Sequence, residues 1–292
     1  MKQLLFLFIL LPGSLRLLGQ TSYTGSIDSF PVELVTNIYT DGDARAVYAY
    51  TRLDEPIVLT GRLKQNRLTL YETDKSGKAT ATLVFPDYRD SASDLNGSWT
   101  EAKSGRQRAI RLRRAFSLDY GEGVEYTDRE LLQQVALKDR YFRLVVSKAK
   151  DDFTGRVTGV KIIEKKTDRL LQYIALDCHL NGLSNVQTGD FNFDGPPDFS
   201  VFEQSYAGPN TSSLYFLYNP KTGKFFDSGF EGTSLEFDRK TKRIYEHNQC
   251  CAGTSHMNAE YKVVNNRMVL VKKTCTAYSE RKCLNSMPCN SI

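Results

Sequence analysis

The chain has 292 residues, enough for about two domains, and its 39 Lys and Arg against 34 Asp and Glu give a formal net charge of +5. A charge this mild argues against a protein that binds nucleic acid through a basic surface. The chain contains six cysteines, all in its second half. Six cysteines in an exported protein are typical of disulfide bonding in an oxidising compartment.

Residues 1–19 have the pattern of a secretory signal peptide. Lys2 supplies the positive start, and Leu4–Leu11 forms an apolar run that is too short to span a bilayer. We expect cleavage before Gln20. The sequence therefore predicts a periplasmic or secreted protein without a membrane span.

Residues 20–114 alternate apolar and polar side chains, as antiparallel strands do. Glycines in three short motifs recur at an interval of 36 residues, at Gly25, Gly61 and Gly97. We interpret this interval as two strands per period of an up-and-down meander that turns at each glycine. The first half is therefore predicted to be an antiparallel meander or small barrel of about eight strands.

The end of this first half contains the densest basic run, between Arg106 and Arg114. Its arginines alternate with Ile110 and Leu112, which is typical of a strand with one solvated face, and polyanion binding is the alternative. Trp99, the only tryptophan, is expected to fill the core rather than to bind a ligand.

Residues 115–126 contain polar residues and glycines and are predicted to be a linker that leads into a helix. Thr127 and Glu130 have the spacing of a capping box, and Leu131, Leu132 and Val135 follow on one helical face. The sequence thus predicts one short helix at this point.

Strand patterns resume after this helix, so that residues 127–276 are predicted to form a second, β-rich domain. Residues 277–292 follow as a cysteine-containing tail.

The segment from Asp190 to Asp198 reads D-F-N-F-D-G-P-P-D, which spaces oxygen ligands around one hard cation. Asp190, Asn192 and Asp194 can point inward, a glycine permits the sharp turn, and Asp198 closes the cage. No His or Cys lies inside the loop, which favours Ca²⁺ over a transition metal. Val201 stands where an EF-hand has its bidentate glutamate, and the flanks have strand patterns. A β-turn without a metal is the alternative.

The six cysteines are disulfide candidates whose pairing stays open. Adjacent Cys250 and Cys251 are poorly placed to bond each other without strain, so each is expected to reach a different partner. A Cys283–Cys289 bond would fix the tail, and a zinc site is the weaker alternative because paired C-x-x-C units are missing. The candidates are Cys178, Cys250, Cys251, Cys275, Cys283 and Cys289.

The sequence contains no G-x-S-x-G, no H-E-x-x-H and no glycine-rich phosphate loop. His247 and His256 lie on either side of the adjacent cysteines, so a Cys/His nucleophile is the enzymatic alternative. Oxidised cysteines would lack the thiolate that such a nucleophile needs. The sequence therefore predicts a protein that is not an enzyme.

The segment Glu203–Tyr215 is a second candidate site. Tyr206 and Tyr215 flank small polar residues, and the predicted calcium loop lies just before them. Tyrosines on a polar loop with a rigid base suit protein or sugar recognition. A hairpin whose tyrosines pack on neighbouring strands is an equally good interpretation.

The D-x-N-x-D-G loop resembles the calcium loops of FG-GAP repeats in integrin-like propellers. The loop is followed by a Ser/Gly/Tyr-rich loop, a Gln-Cys-Cys segment, and Tyr-Lys-Val-Val and Val-Leu-Val strands. This order, over Cys178–Thr274, resembles the periplasmic immunity-type proteins built on a lysozyme-inhibitor-like β-fold. The resemblance implies an antiparallel β-sandwich that carries calcium at Asp190, Asn192, Asp194 and Asp198.

In related lysozyme inhibitors a loop of the type S-G-x-x-Y enters the active-site cleft of the enzyme. The nearest match here is Ser212–Tyr215, with Ser213 where glycine is expected. The resemblance thus implies a protein partner, a peptidoglycan hydrolase, that Tyr206, Ser212, Ser213 and Tyr215 block sterically. A cell-envelope adhesion or glycan-binding module with structural calcium is the alternative.

Overall fold

The computed structural model describes residues 20–279 and 282–286. In these ranges the chain forms β-strands and two short 3-10 turns, Gly182–Ser184 and Cys251–Gly253, and contains no α-helix. The prediction of a mainly β protein is confirmed. No helix among the described residues is long and apolar enough to cross a membrane. The predicted signal peptide, residues 1–19, lies outside the described residues.

The first eight strands close into one antiparallel barrel, because each pairs with the next and the eighth pairs with the first. The predicted barrel is confirmed, although its last strand runs past residue 114 to Leu118 and shortens the linker to residues 119–125. The strands are β1 (Gln20–Ile27), β2 (Phe30–Ile38), β3 (Asp43–Tyr50), β4 (Ile57–Lys64), β5 (Arg67–Thr73), β6 (Ala79–Phe85), β7 (Asp94–Glu101) and β8 (Gln107–Leu118).

Large aromatic and aliphatic side chains fill the barrel, and the fully buried Tyr23, Tyr48 and Phe85 are among them. Trp99 packs against the same core, as expected. Strand β8 has the one solvated face predicted for the basic run, with Arg111 and Arg113 exposed on it, whereas Arg108 lies on the opposite face. Its guanidinium lies 5.4 Å from the ring centre of Trp99, so this arginine covers aromatic side chains at one end of the barrel.

The three glycines spaced 36 residues apart lie inside β1, β4 and β7, so one period spans three strands and not the predicted two. Each sits where the neighbouring strand comes close. A Cβ atom at Gly25 would overlap the carbonyl oxygen of Arg111, and one at Gly61 would overlap that of Thr69. The glycines therefore permit close contact between strands and do not form turns.

The other strands form three further antiparallel sheets, in each of which neighbours in sequence are neighbours in space. The second half thus contains one sheet more than the predicted sandwich has. The first sheet is β9 (Tyr126–Ala136), β10 (Arg140–Lys148), β11 (Arg156–Glu164) and β12 (Leu170–His179); the second is β13 (Val186–Gly189), β14 (Asp198–Ser205), β15 (Thr211–Asn219) and β16 (Lys224–Asp227); the third is β17 (Glu236–Asp238), β18 (Arg243–Cys250), β19 (Ser255–Val264), β20 (Arg267–Ser279) and β21 (Lys282–Ser286).

The predicted helix at Thr127 is wrong, because this segment is strand β9. Leu131 and Leu132 lie opposite Leu144 and Arg143 of β10, and both leucines are buried. A register shift in this pair accommodates Asp128, which has a left-handed φ of 49°. Pairing with an apolar neighbouring strand outweighs the local capping signal, whose contribution is only about 1 kcal/mol.

One hydrophobic core joins the outside of the barrel to the first and second sheets. Phe199 is fully buried at its centre, with its ring 5.0 Å from that of Phe142, 4.9 Å from Phe216 and 4.8 Å from Phe225. A separate cluster, which includes Leu217 of the second sheet and Ile244 of the third, joins those two sheets. Each sheet is therefore packed against the next one in the chain.

An ion pair reinforces the contact between the barrel and the first sheet. Arg143 on β10 donates two hydrogen bonds to Glu33 on β2, Nη1 to Oε1 at 3.1 Å and Nη2 to Oε2 at 2.6 Å. The Arg143 side chain is 22% exposed and that of Glu33 is 16% exposed. A bidentate pair at this depth holds the guanidinium in one orientation.

We predict that Glu33→Gln lowers the free energy of unfolding by about 2 kcal/mol, because it leaves the Arg143 charge without its counterion in a partly buried site. The matched control is Asp43→Asn, which breaks a pair with Arg62 whose side chains are 63% and 60% exposed. That change should cost under about 1 kcal/mol. Urea denaturation of the three proteins measures both effects, and equal losses would contradict the prediction.

Candidate functional site

The predicted calcium loop connects β13 to β14, and its sequence alternation is visible in the structure. Phe191 and Phe193 are both buried in the cluster between the second and third sheets. The Phe191 ring lies 4.7 Å from that of Phe237. The polar residues that alternate with these phenylalanines, Asp190 and Asn192, then face the inside of the loop. The two aromatic side chains anchor the loop to the cluster.

The side-chain oxygens of Asp190 and Asn192 come together at one backbone group. The N–H of Asp194 is 3.0 Å from Asp190 Oδ1 and 3.2 Å from Asn192 Oδ1, and Gly195 N donates to Asp190 Oδ2 at 3.1 Å. Phe193 and Gly195 have left-handed φ values of 63° and 105°, which make the chain turn back on itself. Asp190, Asn192 and Asp194, three of the predicted ligands, therefore lie at alternate positions of one tight turn.

Asp198, the fourth predicted ligand, is fully buried and serves the backbone. Its Oδ2 accepts a hydrogen bond from Phe191 N and its Oδ1 accepts one from Tyr218 N, both at 2.8 Å. Burial raises the pKa of its carboxyl group to about 6. Asp198 thus connects the start of the loop to β15.

Residues of the third sheet also contact the loop. Arg239 Nη2 lies 3.3 Å from Asp190 Oδ2, Lys242 Nζ donates to the carbonyl of Phe193 at 3.3 Å, and Asn192 Nδ2 donates to Asn266 Oδ1 at 3.0 Å. These contacts place two positive charges beside the loop. They partly balance its carboxylates.

The donor chemistry of the loop fits a hard cation such as Ca²⁺, because it consists of carboxylate and amide oxygens. In the described part of the chain, no group of three or more His, Cys, Asp or Glu side chains is gathered as a metal site. The oxygens of Asp198 accept hydrogen bonds from backbone amides. Those of Asp190 and Asn192 do so as well, within the loop itself, so a bound cation would replace the N–H groups of Asp194 and Gly195 as their partner.

A cavity of about 540 Å³ lies beside the second candidate site. One wall is the loop Tyr206–Asn210 between β14 and β15. The opposite wall is the turn Cys250–Gly253 between β18 and β19, together with Asn248 and Gln249. We call this cavity the groove and residues 250–253 the corner.

Asn210 connects the two walls of the groove although it is 39 residues away from Gln249. Its Nδ2 donates to Gln249 O at 2.7 Å and to Ala207 O at 3.2 Å, and its Oδ1 accepts from Gln249 N at 3.1 Å. The side chain is buried. This arrangement satisfies the peptide groups of both hairpins and fixes the loop against the third sheet. Sequence reasoning missed Asn210, since no local signal indicates a contact over this separation.

The four predicted partner-binding residues are in two different environments. Tyr206 is 47% exposed at the edge of the groove, and its hydroxyl is 2.8 Å from Gln204 Nε2 and 3.3 Å from Ser212 Oγ. Ser212 and Ser213 are partly exposed on β15. These three residues are accessible, as predicted.

Tyr215 does not lie on an exposed loop, which corrects its predicted placement. It is inside β15 and only 7% exposed, with its ring 5.0 Å from both Phe191 and Phe237. Burial raises the pKa of its hydroxyl to about 12. The alternative interpretation, a tyrosine that packs on neighbouring strands, is correct for this residue. Tyr215 is therefore part of the aromatic cluster between the second and third sheets.

The six disulfide candidates differ in their state. Cys178, Cys250 and Cys251 are free thiols, whereas Cys275 is disulfide-bonded. Cys178 is fully buried, and burial raises the pKa of its thiol to about 11. The side chain of Cys283 and the whole of Cys289 lie outside the described part of the structure.

Cys250 and Cys251 do not point toward separate partners as predicted. Their Sγ atoms lie 2.7 Å apart, because Cys251 has a left-handed φ of 57° at the corner. The nearby His247 and His256 rings, 5.4 Å apart, hydrogen-bond to Asn258 Oδ1 and Gly253 O. Each histidine thus has a structural partner.

No protein-family model and no curated protein matches the chain. Among solved structures, the chain is similar to a Xanthomonas type IV secretion system related protein, at 11% identity over 92% of this chain and 99% of that one, with a TM-score of 0.27. It is also similar to the β-propeller domain of the trilobed protease from Pyrococcus furiosus, at 8% identity over 91% and 82%, with a TM-score of 0.26. TM-scores this low carry no argument about function.

We predict that Asp198→Asn lowers the free energy of unfolding by about 1–3 kcal/mol even in excess chelator. An asparagine side chain has only one acceptor oxygen, so its amide group would face the N–H of Phe191 or Tyr218. The control is Glu203→Gln, a partly exposed carboxylate on β14, which should change stability little. Chemical denaturation in EDTA separates this effect from metal binding. Equal stability of the wild type and Asp198→Asn would refute the structural role.

Proposed function

We propose that this protein is an exported, non-enzymatic binding protein that binds and blocks a peptidoglycan hydrolase through the loop Tyr206–Asn210 and the groove. The observation that carries the proposal is the fixed position of this loop. Asn210 bonds it to Gln249 on the opposite wall, while Tyr206 remains largely exposed at the edge. The signal-peptide pattern of residues 1–19 and the resemblance to lysozyme-inhibitor-like proteins support an exported protein with this target.

A rigid loop with an exposed tyrosine suits steric inhibition. A tyrosine ring buries a large area while fixing only two side-chain torsions, so it loses little entropy on binding. The loop is already held by Asn210, which reduces the ordering cost that binding would otherwise carry. Ser212 fixes the Tyr206 hydroxyl from β15. The blocking residues are then Tyr206, Ser212 and the neighbouring loop backbone.

We further propose that Ca²⁺ binds the loop through the oxygens of Asp190, Asn192 and Asp194. The ion would neutralise the carboxylates and hold the turn closed. Next to the ion, Asp198 would connect the loop to β15 through its hydrogen bond with Tyr218 N. Phe191 would connect the loop to the aromatic cluster through its contact with Tyr215. Calcium is thus proposed as a structural ion beneath the binding surface.

A cell-envelope module that binds glycans is the second candidate. The groove favours it because amide side chains, which hydrogen-bond sugar hydroxyls, line it at Asn248 and Gln249 beside the exposed Tyr206 ring. A glycan would occupy the groove, whereas a hydrolase would receive the loop in its own cleft.

We predict that the protein inhibits lysis of peptidoglycan by one or more of the chicken-type, goose-type and invertebrate-type lysozymes, and that Tyr206→Ala weakens inhibition about tenfold or more. The matched control is Tyr71→Ala, which removes a similarly exposed tyrosine from barrel strand β5 and should inhibit as the wild type does. Full activity of all three enzymes, together with binding of the protein to peptidoglycan fragments, would favour the glycan-binding module instead.

We predict that calcium raises the melting temperature and that chelation lowers it. At a free calcium concentration about 100 times the dissociation constant, binding would stabilise the native state by about 2.7 kcal/mol. Asp194→Ala should abolish this calcium-dependent shift, and Glu203→Ala should retain it. Differential scanning fluorimetry with Ca²⁺ or EDTA tests all three proteins. Identical melting of the wild type in both solutions would rule out calcium binding.

A further inference from the structure

Two adjacent thiols occupy the corner of the groove. The Sγ atoms of Cys250 and Cys251 are in direct contact, 2.7 Å apart. Cys250 ends β18 in extended backbone, and the left-handed φ of Cys251 turns its side chain back toward Cys250. Thr254 holds this turn through hydrogen bonds from its N and Oγ1 to Cys251 O, at 3.2 and 2.7 Å. The backbone therefore keeps the two sulfurs together.

Two other cysteines, Cys178 and Cys275, have side chains that the structure describes, and neither competes for these thiols. Cys275 is already disulfide-bonded, and Cys178 is fully buried in the core between the barrel and the sheets. Cys251, by contrast, is exposed, and Cys250 is partly exposed. An oxidant in solution reaches the pair from the open side of the groove.

We infer that Cys250 and Cys251 form a reversible vicinal disulfide that acts as a redox-sensitive lock on the groove. The oxidant is a small-molecule or protein disulfide. The thiolate of the more exposed Cys251 attacks one of its sulfurs, which releases one thiol and forms a mixed disulfide. The Cys250 sulfur then attacks Cys251 Sγ and releases the second thiol. Two protein thiols lose two electrons and two protons, and the oxidant disulfide gains them as two thiols.

The local geometry makes this bond easy to reduce again. Adjacent Cα atoms are about 3.8 Å apart across a trans peptide bond, whereas disulfides usually join Cα atoms about 4.4–6.8 Å apart. A disulfide between neighbours is therefore strained. Strained and exposed disulfides have higher reduction potentials than structural ones. The vicinal bond should thus open under conditions that leave the Cys275 disulfide intact.

A disulfide between Cys250 and Cys251 would restrict the wall of the groove through Gln249, the neighbouring residue. Gln249 precedes Cys250, and both of its backbone polar groups bond to Asn210. The side chain of Asn210 in turn holds Ala207 of the opposite loop. A covalent ring at Cys250 and Cys251 removes torsional freedom from the corner. The Asn210 contacts then carry this restriction to the loop Tyr206–Asn210.

Mass spectrometry of tryptic peptides tests the bond directly. Cleavage after Arg243 and Lys262 gives peptide 244–262, which contains Cys250 and Cys251 and no other cysteine. After equilibration with excess oxidised glutathione and quenching with iodoacetamide, we expect this peptide without label and lighter than its reduced form by two hydrogen atoms. Excess reduced glutathione should restore two labelled thiols, while the peptide of residues 274–281, which contains Cys275, stays cross-linked. Linkage of peptide 244–262 to the tail peptide 283–292, or two labelled thiols in both conditions, would overturn the proposal.

Hydrogen–deuterium exchange tests the effect on the groove. On oxidation, we expect amides of the corner and of the loop Tyr206–Asn210 to exchange several-fold more slowly, with no change in barrel strand β5. The double variant Cys250→Ser/Cys251→Ser keeps Cys275 and should lose this dependence on redox state. Equal exchange of both wild-type forms would show that the bond does not lock the groove. A dependence that persists in the variant would assign the effect to another cysteine.

Discussion

The second half of the molecule depends on the buried carboxylate of Asp198. A fully buried carboxylate is costly unless hydrogen bonds satisfy it, and here the backbone amides of Phe191 and Tyr218 do so. One of these amides belongs to the loop and the other to β15. The side chain therefore fixes the turn that precedes β14 relative to the strand that follows it. The aromatic cluster of Phe191 and Tyr215 is built beside this connection.

The aromatic cluster carries this fixed geometry from the second sheet to the third. Phe191 leaves the loop and contacts Tyr215 on β15 and Phe237 on β17. These rings pack against one another, and Phe237 lies on the short strand β17, whose three residues pair with β18. Side-chain packing therefore helps to hold the third sheet against the second. One wall of the groove belongs to the third sheet.

The sequence predicts most of what depends on local alternation. The barrel strands alternate because one face of each lies inside, and the alternation D-F-N-F-D separates side chains that anchor the loop from those that line it. The helix at Thr127 failed for the opposite reason. Its capping-box residues describe only the isolated segment, whereas Leu131 is buried by pairing with Leu144 thirteen residues later in the chain. Local signals do not contain that contact.

Features that join distant segments could not be predicted from the sequence. Asn210 looks like an ordinary loop asparagine until the third sheet brings Gln249 beside it. The vicinal cysteines were expected to point toward different partners, because a disulfide between neighbouring residues is strained. The left-handed conformation of Cys251 at the corner instead brings the two sulfurs together. That conformation is uncommon outside glycine, so the residue type gave no sign of it.

A binding surface made from two hairpins has a consequence for how substitutions act. Tyr215 is buried, and its ring packs on Phe191 of the loop and Phe237 of the third sheet. Replacing it would open a cavity in the aromatic cluster between the second and third sheets. Loss of binding in such a variant would report on packing, while loss in a variant of exposed Tyr206 with normal stability would report on contact. Burial in the structure separates the roles of Tyr206 and Tyr215. The sequence pattern does not, because both tyrosines flank the same polar segment.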